Sequence, residues 1–234
     1  MSVAGSALLL TGGHSHPPDL SLGALTDLLA GVGLAPVAVE DPEGALAGLT
    51  DSDHDLLVVN ALRWTMGHPR YAEFRDDWAL SLSADARRQL AGWVGSGRPL
   101  LALHSAIVSF DDWPEWIDLI GGVWDWSCSS HPPVGPVEVA YPPGVALTAG
   151  LADFTVHDEC YVDLNLRPDA EVVATMTADG CGGPQPACWV LSSGGRRVAT
   201  SALGHDRRSL DHPAHRALLE RLVQWLLSDD PVTA

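Results

Sequence analysis

Short apolar runs of strand length alternate with amphipathic stretches through the first half of the chain. Ser6–Leu10, Val37–Val39, Asp55–Asn60 and Leu100–Leu103 are unbroken or nearly unbroken apolar segments, the pattern of strands buried on both faces of a parallel sheet. Between them Leu20–Val32 carries apolar residues at helical spacing, and Glu43–Leu49 reads as a short helix. Ser83–Val94 predicts a longer one, with Ser83 as N-cap and Leu90, Trp93 and Val94 on one stripe. Asp111–Gly122 predicts a short helix with Pro114 in its first turn and glycine at its end. The second half is richer in strands. Val134–Tyr141 and Val145–Leu147 read as sheet-edge pieces, Glu171–Met176 as a strand, and Cys188–Leu191 and Arg197–Ala202 as an antiparallel pair, before a closing helix over Ala214–Leu227. This order predicts an α/β fold: a doubly wound, mostly parallel sheet with helices on both faces and an antiparallel C-terminal extension. No linker, repeat or low-complexity tract divides the chain, so residues 1–234 read as a single domain.

Polar residues gather where the apolar runs stop. Thr-Gly-Gly-His-Ser-His (11–16) follows the first run, Asn60 ends the third, His104 and Ser105 follow Leu100–Leu103, and His205 and Asp206 follow the last strand. In open α/β sheets ligands bind outside the carboxyl ends of the strands, so His14, His16, Asn60, His104, Ser105, His205 and Asp206 are expected to converge. The stretch Arg98–Phe110, a strand running into a polar elbow, is their centre.

Three chemistries fit this set. The first is nucleophilic: Ser105 attacks, His205 is the base, and Asp206 or Glu159 orients it. The elbow reads Ala102-Leu103-His104-Ser105-Ala106-Ile107, without the glycines of a G-x-S-x-G turn. The second is metal-assisted: His14, His16, His104 and His205 supply ligands for a divalent ion such as zinc or manganese, with His131, His157, Glu159 and Asp206 nearby in composition. The third is acid–base work by His104, Glu159 and His205. In His157–Asp163, alternation along a strand turns Glu159 inward and Asp158 away, and burial beside other acids is expected to raise the Glu159 pKa.

Aromatic residues shape the expected ligand. Ala61–Leu82 is a long connection without clean period, and such loops are more often functional than accidental. Trp64, Trp113, Trp116, Trp124 and Trp126 lie in it or in the loops and short helix after the elbow. Tryptophan offers a flat apolar face and one N–H donor, which suits a sugar or similar polyol. His14, Asn60, Trp64, Ser105, Trp113, Trp126, His131 and Asp206 are the groups expected to contact it.

Composition removes other classes. The formal charge of −17 argues against nucleic acid. The 13 basic residues are all arginine, which removes Schiff-base chemistry and a phosphate-loop lysine. The four cysteines show no C-x-x-C spacing and read as reduced and structural. Ala7–Leu10 is too short for a signal or membrane helix and lacks a basic flank, so a cytoplasmic protein without a membrane partner is expected. Exposed tryptophan loops leave a homo-oligomer open.

Taken together, L-L-T-G-G-H (9–14), V-N-A-L-R-W (59–64), L-A-L-H-S-A (101–106), W-P-E-W…L-I-G-G (113–122), S-H-P-P (130–133), D-E-C-Y (158–161) and A-L-G-H-D (202–206) resemble the ThuA-like, or trehalose-utilisation, family. The resemblance implies the flavodoxin-like scaffold of class I glutamine amidotransferases. In those enzymes the elbow after the central strand carries a catalytic cysteine; here His104 takes roughly its place and none of the four cysteines lies there, so glutamine hydrolysis is not expected. The family name implies an enzyme, a hydrolase, lyase or isomerase, acting on a disaccharide, glycoside or 3-keto-sugar. The alternatives are a sugar-binding module on a catalytically dead amidotransferase scaffold and a Ser105-dependent hydrolase.

Overall fold

The computed structural model describes residues 5–228. Strands β1 (Gly5–Gly13), β2 (Leu34–Val39), β3 (Leu56–Leu62) and β4 (Leu100–Leu103) alternate with helices α1 (Leu22–Gly31), α2 (Pro42–Leu46), α3 (Arg75–Trp78) and α4 (Ala84–Gly95). Then come α5 (Trp116–Ile120), β5 (Gly122–Val123), β6 (Gly135–Ala140), β7 (Phe154–Asp158), β8 (Asn165–Leu166), β9 (Glu171–Thr177), β10 (Gln185–Leu191), β11 (Val198–Ser201), α6 (Arg207–Leu210) and α7 (Pro213–Leu227). A nine-stranded sheet has the order β2-β1-β3-β4-β11-β10-β9-β6-β7. The first five strands are parallel and the last four attach antiparallel, so the α/β architecture with an antiparallel extension is as expected.

Alternation along the parallel strands divides the core. Leu9, Leu101 and Leu103 pack with α1 and α7 on one face. Leu8, Leu10, Leu100 and Ala102 pack with α4 and α5 on the other. Successive side chains of a strand point to opposite faces, so a continuous apolar run serves two helical layers at once. Each buried Leu contributes roughly 1.5–3 kcal/mol.

Several boundaries differ from expectation, each for a physical reason. β1 runs on to Gly13 because it pairs with β3 as far as Gly13↔Leu62. A Cβ on Gly13 would sit 2.1 Å from the Leu62 carbonyl oxygen, so only glycine permits that approach. β3 likewise continues past Asn60 to Leu62, and Asn60 is buried within it rather than displayed at its end. β2 starts at Leu34 and tolerates Pro36 because it is an edge strand. Val145–Leu147 is no sheet piece: after Pro142-Pro143-Gly144 the chain forms a 3-10 turn over Ala146–Thr148. Pro114 precedes α5, which is capped by Gly121 at φ 82°.

The topology delivers five segments to one place. The carboxyl ends of β1, β3, β4 and β11 share one edge because those strands are parallel. From β11 the four antiparallel steps through β10, β9 and β6 restore the same direction in β7, so Asp158 and Glu159 leave at that edge too. In a flat sheet β7 would lie about 19 Å from β11 at ~4.8 Å per strand. Instead Gly204 donates its N–H to Asp158 Oδ2 at 2.7 Å, so the extension curls back over the parallel half.

Candidate active site

The polar centre lies at the elbow after β4. His104 has φ 41°, a left-handed conformation that costs a non-glycine residue on the order of 1–3 kcal/mol. Its Nδ1–H donates to the Ala202 carbonyl at 2.8 Å. Its Nε2 lies 3.1 Å from the Tyr161 hydroxyl and 3.3 Å from Glu159 Oε2. Burial alone would lower the His104 pKa, but the hydrogen bond with Glu159 and the charges of Asp158 and Glu159 raise it. Glu159 is the reciprocal case. Burial would raise its pKa, yet His104, with His131 and His205 behind it, holds it down to about 2. The expected upward shift is therefore reversed, because histidines and not acids surround the carboxylate.

Glu159 Oε1 lies 3.5 Å from His131 Nδ1 and 3.7 Å from His205 Nε2. His205 Nδ1 is 3.4 Å from Asp206 Oδ2. Asp206 itself caps α6, accepting from the Arg208 N–H, and pairs with the Arg208 guanidinium at 2.6 Å. His16 completes a triangle of imidazoles, 5.3 Å from the rings of both His104 and His205. Burial and those two neighbours lower its pKa to about 3, so His16 is neutral at any physiological pH, and neither ring nitrogen has a partner among the described residues.

Asp158 holds this arrangement from below. It is fully buried and accepts from the backbone N–H groups of Glu159, Gly204 and His205 and from the Ser209 hydroxyl. One carboxylate thus fixes the segment bearing Glu159 to the turn bearing His205.

A cavity of about 260 Å³ opens over these groups. Glu159, Tyr161, His16, His131 and His205 supply its polar lining. Trp64, Tyr71, Trp124 and Trp126 also line it, with Trp64 and Trp126 stacked at 6.4 Å and Trp124 against Tyr161 at 5.3 Å. Among the described residues no group of three or more His, Cys, Asp or Glu side chains is arranged to hold a metal ion.

The model of the trehalose-utilisation family, ThuA, matches residues 45–226. The chain belongs to that family. No curated protein matches it in sequence. Among solved structures, a ThuA-like protein of Parabacteroides merdae superposes with TM-score 0.75 at 17% identity, over 98% of this chain and 92% of that one. The carbohydrate deacetylase Agd3 gives TM-score 0.61 at 14% identity, over 95% of this chain and 32% of its own. A glutamine amidotransferase of Thermotoga maritima gives TM-score 0.55 at 10% identity, over 96% and 98%. At these identities the likeness is one of fold.

In this ThuA chain the expected site residues divide. His16, His131, His205, Glu159, Trp64 and Trp126 line the cavity, and so does His14. The left-handed Ser15 (φ 62°) separates His14 from His16: the His14 ring packs 4.4 Å from Phe74, so it does not join the other three histidines. His104 is completely buried behind Glu159 and Tyr161, and is not a lining residue. Asn60 donates to Ser21 Oγ at 2.7 Å inside the fold. Trp113 stacks on Trp116 at 5.8 Å in the core beneath the elbow, because the turn after Phe110 carries it to the far side. Asp206 serves His205 and α6. Ser105 Oγ is buried with no hydrogen-bond partner among the described residues, so no Ser-His pair forms, and His205 faces Glu159 instead.

Sequence reasoning passed over Tyr161, Tyr71, Arg70 and the role of Asp158. Tyr161 sits two residues after Glu159, and on extended chain such residues share a face; that spacing was the available signal. Tyr161 is stacked on His104 at 4.9 Å, and burial with Glu159 and Asp158 nearby pushes its pKa well above 10. Asp158 was expected to face away, which it does from the cavity, but into a network and not into solvent.

Proposed function

We propose that this protein is an enzyme of carbohydrate metabolism that acts on a small sugar or glycoside, its 3-keto form included, by imidazole and carboxylate acid–base chemistry. The observation that carries the reading is the cavity's mixed lining of aromatic rings and polar groups. A pyranose has an apolar C–H face and a rim of hydroxyls; the Trp64, Trp126 and Tyr71 faces suit the first, and His16, His205 and Glu159 suit the second. The family's name and the carbohydrate deacetylase among its structural neighbours support the same substrate class.

In this reading His205 is the group that moves a proton, since it lines the cavity and has a carboxylate at each ring nitrogen. A base must lie within reach of the proton it takes, and His205 meets that condition from the cavity wall. Glu159 stays ionised and accepts from substrate hydroxyls. His104 and Tyr161 are positioning residues: His104 holds Glu159 from behind the cavity, and Tyr161 braces the pair from its wall. Neutral His16 offers one donor and one acceptor to the ligand.

The test is turnover of trehalose, simple glucosides and their 3-keto forms by the wild type, His205→Ala and Glu159→Gln. Loss of product in both variants, with melting transitions retained, is expected. Undiminished turnover in His205→Ala overturns the assignment, and saturable sugar binding without product makes the protein a binding module.

A further inference from the structure

The substrate-facing surface has a cation with nothing to hold. Twelve of the 13 arginines (all but Arg70) donate their guanidinium groups to a carboxylate or a carbonyl oxygen. Among the described residues the Arg70 guanidinium has neither. It sits over the Tyr71 ring, 4.6 Å from the centroid, with the Trp126 ring at 6.0 Å. A stacked guanidinium keeps its N–H edge free for a planar oxyanion.

Arg70 lies on the boundary between two cavities. The second, about 210 Å³, adds His68, Ser129 and Ser130 to four residues shared with the first, among them Arg70 and Trp126. No carboxylate lines it, in a chain with 30 acidic residues. The acid on the same loop, Asp125, turns its Oδ1 onto the Ser127 N–H and hydroxyl. The Arg70 guanidinium, the Ser130 hydroxyl and the Nε2 atoms of His68 and His131 around one opening form a donor set for an oxyanion, while Ser129 is spent on the Asp163 carbonyl. Glu159 lies in the first cavity only, so an anion is repelled from the acid–base groups and drawn to the mouth.

We propose that the ligand is a sugar carrying an oxyanion group, carboxylate or phosphate, which Arg70 binds in the second cavity while the neutral ring occupies the first. This deepens the sugar reading and rests on it.

The experiment measures binding of glucose, glucuronate, glucose 6-phosphate and inorganic phosphate by calorimetry, at low and high salt, to the wild type, Arg70→Gln and Arg70→Lys. Anionic sugars are expected to bind about tenfold tighter than glucose. The preference should fall toward unity in Arg70→Gln and at high salt, and be partly kept in Arg70→Lys. The better of glucuronate and glucose 6-phosphate identifies the oxyanion. Because the guanidinium has no hydrogen-bond or ion-pair partner among the described residues and only ring contacts of the kind that contribute little at exposed sites, Arg70→Gln should melt within a few degrees of the wild type. Glucose bound as tightly as its anions, or a preference that survives Arg70→Gln, overturns the proposal and leaves the sugar reading standing. Arg70-dependent binding of inorganic phosphate with no sugar bound keeps the anion site and overturns the sugar reading. Binding of none of the four overturns both.

Discussion

His104 Nε2 and Glu159 Oε2 meet at 3.3 Å beneath the cavity floor, each shifting the other's titration toward the charged form. The pair links the elbow after β4 to the end of β7, the two segments that the sheet's curl brings together. Glu159→Gln removes the negative charge, and the His104 pKa should then fall below its wild-type value. Histidine NMR titration reads this directly; an unchanged His104 pKa would show that the pair is not coupled.

Acid stability follows from the same pair. The Glu159 pKa is depressed on folding, from an ordinary 4.5 to about 2, so its contribution is fully present above pH ~4.5 and is lost as pH falls from there toward 2. His104 has the opposite sign: its pKa is raised, so its contribution is complete below about 6.5 and is lost as pH rises through the folded value. Urea midpoints across pH should show the wild type losing more stability between pH 4.5 and 2 than Glu159→Gln does. Parallel curves would refute it.

Asp158→Asn should be the most damaging conservative change near the site. The carboxylate accepts three backbone N–H groups and one hydroxyl, and an amide NH₂ in the same place confronts donors with a donor. A loss of about 2–4 kcal/mol in denaturant unfolding is expected, with turnover falling even where the fold survives, because the Glu159 and His205 segments separate.

Ser105→Ala should do almost nothing. The hydroxyl is buried and unpartnered, so removing it changes stability by no more than about 1 kcal/mol in either direction. Activity should persist, and a serine-directed phosphonate should fail to label the protein. Stoichiometric labelling at Ser105 would revive the hydrolase reading.

Trp116→Phe tests the elbow's underside. The Trp116 indole N–H donates to the Ala106 carbonyl at 3.0 Å, just after strained His104. Losing that bond should cost about 1 kcal/mol in the unfolding midpoint and lower kcat more than it raises KM, since Trp116 lies in the core and not in the cavity.

The chain itself determined the layers and much of the site inventory. Leu8–Leu10, Leu56–Val59 and Leu100–Leu103 are local apolar runs, and their burial on both faces follows from composition alone. Polar residues at their carboxyl ends then had to share an edge, which put His16 and His205 among the candidates, while the aromatic-rich connection supplied Trp64 and the His157–Asp163 cluster Glu159. Tertiary structure decided their roles. Whether Glu159 met acids or histidines depended on how far the β10-β9-β6-β7 extension curls, and no local pattern encodes that. Asn60 and Trp113 left the site because register with β1 and the turn after Phe110 set their directions. His104, prominent in the sequence, lies behind Tyr161 and Glu159 because its left-handed backbone turns the ring toward Ala202. Apolar periodicity records which face of an element is buried; it carries no information about which distant segment closes over a strand end.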